Sequence, residues 1–210
     1  MGIPTRTDCL NIFWLGRYTA RSLETLTLGL EVVRCSAREL PWQKAYEGLL
    51  GNLPLDQDVL PWFFDTVVRL ERPPGICFAL RMAREDALCL RGLVGTNAVT
   101  IVNLALQEVM TFPDSNLMKA CQRILAFGNG LFFCVKERLG EEKAWVLELG
   151  RAVEVLDVRL RVRDLKGALQ GTSRINALLK ENGVALSPLE DLRLQSLEEK
   201  VCAFEHMLSV

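Results

Sequence analysis

The chain has 210 residues, half of them hydrophobic, and its 25 basic and 26 acidic residues give a net charge of −1. This length is sufficient to bury a sizeable core as one domain. The balanced charge, without any local block of lysine or arginine, excludes the electrostatic signature of a nucleic-acid-binding protein. No apolar run approaches the length of a membrane span, so we expect neither nucleic acid nor membrane among the partners.

The seven cysteines predict free thiols rather than a disulfide framework. Their number is odd, none forms a CxxC pair, and the first residues lack the apolar segment of a secretory signal. We therefore expect a cytoplasmic protein with reduced thiols. The single histidine, His206, has no cysteine pair nearby, so we expect no metal site, and no motif calls for a cofactor.

Helical periodicity runs through almost the whole chain, and alternating strand patterns are scarce. The first helix is predicted over 9–36, with Asp8 as its N-cap and one buried face made of Ile12, Leu15, Thr19, Ser22, Leu26 and Val33. Proline, glycine and loop signals delimit further helices, predicted over 41–50, 58–70, 75–93, 96–111, 116–137, 142–165, 166–181 and 188–208. The fold class is therefore all-α, a bundle of long helices forming one domain over 1–210.

Glycines mark special points in these helices. Gly95 separates the fourth and fifth helices, and Ser115 is the expected cap of the sixth. The "GNG" segment at 128–130 predicts a kink or a close helix contact, because a glycine inside a helix costs about 1 kcal/mol relative to alanine. The segment "LGR" occurs twice and aligns Gly16 with Gly150. A close crossing of two helices requires a small residue, so the two copies predict an internal pseudo-repeat of crossing helices.

Charged residues recur at helical spacing within otherwise apolar segments, as Arg17 and Arg21 show. Three interpretations remain open: a buried arginine–carboxylate lattice that fixes helix docking, an arginine-lined pocket for a carboxylate or phosphate, and direct catalysis with Glu85 and Glu154 as acid–base candidates. No phosphate loop and no Ser/His/Asp or Cys/His constellation is present. The candidate binding residues are Arg17, Arg21, Arg81, Arg84, Glu85, Arg91, Arg151, Glu154 and Asp157.

Three ordered motifs make the sequence similar to the Alpha-E domain family, an all-helical bacterial domain named for a Glu-Arg motif. "NIFWLGRYTARSL" resembles the family's N-terminal "NLYWLGRYLERAE", while "PPGICFALRMAREDALCLRG" and "GEEKAWVLELGRAVEVLD" resemble its middle and later motifs. The resemblance covers about 11–165 and leaves 166–210 as a helical tail. Family members usually repeat the middle motif after the second "LGR", and 166–210 contains no such copy. The chain therefore looks like a shortened or diverged member.

The family's Glu-Arg pair is incomplete in both copies. The first copy has Ala20 and Arg21 at these positions, and the second has Glu154 and Val155. If the two helices cross about an approximate twofold, Arg21 and Glu154 form one interhelical pair. The other pair is then lost from both sides at once, which avoids a buried charge without a partner.

The remaining arginines of the two copies need other acceptors. By the logic of the family motifs, Arg17 and Arg151 are expected to find them in Glu85 and Asp86 of the middle motif. The cluster "RLRVRD" at 159–164 is interpreted as a solvated helix end.

The resemblance also implies a functional context. Alpha-E domains occur beside or fused to ATP-grasp amide ligases and transglutaminase-like proteins, in systems associated with making or modifying peptides. The first hypothesis is a non-catalytic accessory domain that binds such a ligase or its acidic peptide substrate. The second is an enzyme of peptide or amide chemistry with an Arg/Glu-lined pocket, and the third is a structural homodimerisation module. A surface cleft lined by arginines favours the first two, and a closed lattice favours the third or a protein-binding form of the first.

Overall fold

The computed structural model describes residues 5–35, 59–111 and 116–184. Every regular element within these ranges is helical, which confirms the all-α fold class. The helices predicted over 41–50 and 188–208 lie outside the described residues, as does the expected cap Ser115.

Helix α1 spans Arg6–Cys35, so it begins three residues before the predicted start. The hydroxyl of Thr5 accepts a hydrogen bond from the backbone N–H of Asp8 (3.2 Å), and the Asp8 carboxylate accepts one from the backbone N–H of Thr5 (2.8 Å). This reciprocal capping box makes Thr5 the N-cap, and the prediction that Asp8 caps the helix is wrong. The predicted buried face is confirmed at Ile12, Leu15, Thr19, Ser22 and Leu26.

The segment predicted as one helix over 58–70 is divided. Helix α2 spans Val59–Phe63 and continues into a π-helical turn at Phe64–Val68. The turn buries Phe64, Val67 and Val68, and Phe63 at the end of α2 is buried against α1. A Cβ on Gly29 of α1 would collide with the Phe63 ring, so this glycine permits the close approach.

Helix α3 spans Ile76–Cys89, and α4 spans Arg91–Thr111 after a turn at Leu90. Gly95 has φ 79° and interrupts the regular helix, which confirms its predicted role as a break. Because α4 starts at Arg91, the predicted extension of the preceding helix to residue 93 is wrong.

Helix α4 is the one described helix that is long and apolar enough to cross a membrane, with a mean hydropathy of 1.2 over its best window. The expectation that no apolar run approaches a membrane span is therefore wrong by length and composition. A single helix of this kind is weak evidence for a membrane protein, because core helices of soluble bundles have the same character. Beyond Gly95 the regular segment 96–111 is about 24 Å long, shorter than the roughly 30 Å hydrocarbon core of a bilayer.

Three longer elements complete the described chain: α5 (Leu117–Leu139), α6 (Glu141–Arg161) and α7 (Leu165–Glu181). Their bounds lie within a few residues of the predictions. Helix α6 ends earlier than predicted because Arg163 adopts a positive φ of 57° and Asp164 caps α7, accepting a hydrogen bond from the backbone N–H of Gly167 (2.9 Å). Helix α1 is central, packing most extensively on α6 and also on α3 and α5, while α7 covers the outer side of α6. This arrangement brings the two "LGR" segments together.

Candidate functional site

Helices α1 and α6 cross at their two glycines. A Cβ on Gly16 would collide with the carbonyl oxygen of Leu147, and a Cβ on Gly150 would collide with that of Phe13. The same two Cβ atoms would lie 3.3 Å from the backbone nitrogen of Arg151 and 3.2 Å from that of Arg17, respectively. These reciprocal contacts confirm the predicted crossing about a local twofold, in which each position of one copy has an equivalent in the other.

Glu154 lies at the centre of a buried ion cluster, with a side chain only 1% exposed. Its Oε1 accepts a hydrogen bond from Arg21 Nε (2.6 Å), and its Oε2 accepts one from Arg21 Nη2 (3.1 Å). The predicted interhelical pair between Arg21 and Glu154 is therefore confirmed, and its geometry is bidentate.

Arg17 joins the same carboxylate, because its Nε donates to Glu154 Oε2 at 3.0 Å. The expectation that Arg17 needs a separate acceptor in Glu85 or Asp86 is wrong, since one carboxylate has enough lone pairs for both guanidinium groups. This second contact explains why α1 carries two arginines on a buried face.

Aromatic rings support the two guanidinium groups. The Arg17 guanidinium lies 4.9 Å from the centroid of the Trp14 ring, and that of Arg21 lies 6.0 Å from the Tyr18 ring. Trp14 and Tyr18 stack on each other with centroids 5.4 Å apart. Burial alone would lower the pKa of Arg21, but the hydrogen bond and charge of Glu154 reverse this and raise it. Arg21 therefore stays charged, and the cluster forms a packed structural unit.

Asp157, one turn along α6, stays outside this cluster. Its carboxylate accepts a hydrogen bond from Arg161 (2.8 Å), and its negative charge acts on Arg21 through space. This second acid thereby offsets part of the positive charge that two arginines and one glutamate leave near the crossing.

The other side of the crossing is an open cleft between α6 and α7. Its volume is about 560 Å³, and both helices and the turn between them contribute to its walls. Its charged and polar lining residues are Glu148, Arg151, Arg159, Asp164, Lys166, Gln170 and Arg174. Four of these side chains are basic and two are acidic, so the cleft has an excess of positive charge suited to an anionic ligand.

Of the predicted site residues, Arg151 is the one that lines this cleft. Its guanidinium lies 4.9 Å from the centroid of the Phe132 ring. The expectation that Arg151 binds Glu85 or Asp86 is wrong, because Glu85 pairs with Arg84 on α3 at 2.8 Å.

The charged residues of the middle motif do not converge on either place. Arg81 pairs with Glu71 at 2.7 Å, and Arg84 binds both Glu85 and the side-chain oxygen of Asn103 (2.8 Å each). Arg81, Glu85 and Arg91 are exposed, and Arg84 is partly exposed. Their contacts are local ion pairs on the surface of the bundle, which contribute little to stability.

Asp86 differs from its neighbours because its Oδ2 is buried without a hydrogen-bond partner among the described residues. Burial, together with the adjacent charge of Glu85, raises the pKa of the Asp86 carboxyl to about 7. Its charge in turn acts on Tyr18, whose pKa is raised chiefly by burial.

Sequence reasoning missed three basic residues of the cleft, namely Arg159, Lys166 and Arg174. Arg159 falls in the segment interpreted as a solvated helix end, yet it contacts Glu24 of α1 (3.6 Å) and Asp164 (3.4 Å). The spacing of Lys166, Gln170 and Arg174 by fours was an available signal for a polar stripe on α7.

The described side chains do not form a metal-binding site. The described part of the chain contains no group of three or more histidine, cysteine, aspartate or glutamate side chains placed to hold an ion. Cys9, Cys77, Cys89, Cys121 and Cys134 are free thiols.

The fold and the site together define a class of helical bundle built on two crossing helices whose arginines meet a glutamate at the crossing. The chain belongs to the Alpha-E family, described as a predicted alpha-helical domain with a conserved ER motif, whose sequence profile matches residues 9–187. The match passes residue 165 and therefore includes α7. No curated protein and no solved structure matches the chain.

Proposed function

We propose that this chain is a non-catalytic accessory domain of a peptide-modifying system, in which it binds an ATP-grasp amide ligase or a transglutaminase-like protein, or the acidic peptide that such an enzyme modifies. The proposal places it in the bacterial cytoplasm. The observation that carries it is the cationic cleft between α6 and α7, since an open concavity with an excess of basic side chains is suited to an acidic segment.

The surface beside the cleft also suits a protein or peptide ligand. Leu165 and Leu169 of α7 are 70% and 58% exposed, and they alternate along the helix with the cleft residues Lys166 and Gln170. A combination of apolar and cationic side chains on one helix is typical of surfaces that bind peptides rather than small ions.

The carboxylates considered for acid–base catalysis have other roles. Glu154 is fully occupied by Arg17 and Arg21, and Glu85 is 60% exposed and paired with Arg84. Neither lies among the residues that line the cleft. These placements favour binding over the alternative of an enzyme of peptide or amide chemistry.

The test is co-purification of the tagged full chain from its native cells, followed by mass spectrometry of retained proteins and peptides. We expect an amide ligase, a transglutaminase-like protein or an acidic peptide to be retained, and to be lost in the double variant Arg151→Gln, Arg174→Gln. Lys119→Gln, an exposed lysine on α5, is the matched control. Retention of none of these molecules, or equal retention by both variants, would refute the proposal. A homodimer without other ligands would instead support the structural alternative.

A further inference from the structure

The local twofold relates pairs of residues in α1 and α6 whose surroundings differ in the structure. Because Gly16 is equivalent to Gly150, Arg17 is equivalent to Arg151, and Glu154 is equivalent to Ala20. On one side of the crossing, Arg17 donates to Glu154 at 3.0 Å. In the other copy, the position on α1 equivalent to Glu154 is Ala20, which is buried and has no carboxylate to offer Arg151.

Arg151 does not recover a carboxylate from elsewhere in the described chain. No described acid lies within ion-pair distance of its guanidinium, which packs on the Phe132 ring instead. The charge of Arg151 acts on Glu24 through space, but Glu24 forms its ion pair with Arg159 (3.6 Å). Among the described residues, the half-buried Arg151 guanidinium thus has no hydrogen-bond acceptor at the wall of the cleft.

The acidic residues of the cleft are likewise engaged. Glu148 pairs with Lys136 (3.2 Å), and Asp164 accepts hydrogen bonds from Arg159 and from the backbone of Gly167. Lys166 and Arg174, in contrast, make no ion pair with any described residue. The cleft therefore presents three cationic groups, on Arg151, Lys166 and Arg174, without acids of the described chain to neutralise them.

We infer that the α6–α7 cleft binds an acidic peptide by placing one of its side-chain carboxylates on Arg151, the twofold equivalent of the arginine that binds Glu154 from α1. A second carboxylate of the peptide interacts with Lys166 and Arg174. The inference rests on the proposed function, because it names the part of the chain that holds the peptide.

Two features favour a peptide carboxylate over inorganic phosphate. The twofold-equivalent arginine, Arg17, binds a glutamate side chain, so the same position of the repeat already binds a carboxylate in the other copy. The cleft, at about 560 Å³, is also far larger than a single anion requires, and it accommodates several residues of a peptide.

The binding test uses fluorescein-labelled hexaglutamate and measures fluorescence anisotropy with the purified full chain. Hexaglutamine and inorganic phosphate are the comparison ligands. We expect saturable binding of hexaglutamate, no binding of hexaglutamine, and little displacement by phosphate. Arg151→Gln is expected to weaken binding by about tenfold or more, as for loss of one charge-assisted hydrogen bond. The charge-matched control Lys119→Gln is expected to change affinity by less than about twofold, since exposed charges away from the site contribute weakly.

A second variant tests the equivalence itself. Ala20→Glu supplies an internal carboxylate to Arg151, so it is expected to reduce hexaglutamate affinity by about as much as Arg151→Gln does. If Ala20→Glu does not fold, the inference is tested by the comparison of Arg151→Gln with Lys119→Gln alone.

Three results would overturn the inference: equal binding of hexaglutamate and hexaglutamine, equal affinities of Arg151→Gln and Lys119→Gln, or displacement by phosphate at concentrations similar to those of the peptide. If hexaglutamate fails to bind but the ligase co-purifies, the inference is wrong and the proposed function stands. If neither binds, both are wrong.

Discussion

At the residue scale, Glu154 is the side chain that links both arginines of α1 to α6. It is 1% exposed and receives hydrogen bonds from two guanidinium groups, whose side chains are 9% exposed for Arg17 and 18% exposed for Arg21. Loss of either arginine leaves Glu154 with the other one. Loss of Glu154 leaves both arginines without their acceptor, so the three residues are not equivalent.

We therefore expect Glu154→Gln to lower the free energy of unfolding by about 3–5 kcal/mol, because removing one partner of a buried pair leaves charges without compensation. Arg17→Ala and Arg21→Ala are each expected to cost less. Urea unfolding of the three variants measures the order, with Glu85→Ala, at an exposed pair, as a control expected to remain within about 0.5 kcal/mol of the wild type. An effect of Glu154→Gln as small as that of the control would show that the cluster does not stabilise the fold.

Asp86 makes stability depend on pH. Its folded-state pKa is raised to about 7, whereas an unfolded aspartate has a pKa near 3.9. The native state therefore binds the proton more tightly, and the stability contributed by the protonated carboxyl is present below about pH 4 and is lost as the pH rises towards 7.

Asp86→Asn removes this titration. We expect the variant to be more stable than the wild type at pH 8 by about 1–2 kcal/mol, less than the full linkage value because the carboxyl is only partly buried. At pH 4 the two proteins should differ less. Thermal unfolding across this pH range measures the difference, and an unchanged pH profile in the variant would show that Asp86 titrates normally.

At the scale of elements, the crossing of α1 and α6 depends on the absence of two Cβ atoms. Gly16 and Gly150 each abut the backbone carbonyl of the other helix, which cannot move aside as a flexible side chain can. Gly130 on α5 offers a contrast, because a Cβ there would meet no atom within 4 Å.

Gly16→Ala and Gly150→Ala are each expected to destabilise the protein by about 1–3 kcal/mol or more, since the added methyl forces the helices apart. Gly130→Ala is expected to stabilise it by up to about 1 kcal/mol through helix propensity alone. Denaturant unfolding of the three alanine variants provides the measurement. Similar effects at Gly16 and Gly130 would contradict the close crossing.

The crossing was predictable from the sequence, because the repeated "LGR" placed two small residues in equivalent helices and charges of opposite sign at positions 21 and 154. The "GNG" segment was predictable in part: Gly128 lies against the Leu23 side chain of α1, whereas Gly130 faces open space. The sharing of Glu154 by Arg17 was not predictable, since it depends on the depth at which the helices cross.

The cleft was not predictable for a different reason. Its basic residues come from two helices joined by the turn at Arg163, and only the direction of that turn brings Arg151 and Arg174 to one concavity. Periodicity within a helix identifies a stripe of polar residues, but it does not indicate which neighbouring helix that stripe will face.

At the scale of the whole molecule, the buried ion cluster and the open cleft lie on two different faces of α6. The cluster around Glu154 closes one side, and the cleft opens on the other. A ligand bound there would not contact Glu154, which is not among the residues that line the cleft.

The purified chain is expected not to hydrolyse ATP, because its sequence lacks a phosphate-binding loop and its described residues form no metal-ligating cluster. A phosphate-release assay with Mg²⁺ and ATP measures this directly. Turnover that persists through repeated purification and disappears in Arg84→Ala or Glu85→Ala would contradict the non-catalytic proposal.

The reciprocal contacts of Gly16 and Gly150 also have an evolutionary consequence. Each glycine touches the backbone of the helix that carries the other, so a larger residue at either position displaces the same two main chains. Positions 16 and 150, although far apart in the sequence, are therefore under one selective constraint, namely that neither can accept a larger residue. The equivalent positions 20 and 154, which hold an alanine and a glutamate, lie outside that constraint. A repeated helix can therefore keep its crossing while its two copies differ in charge.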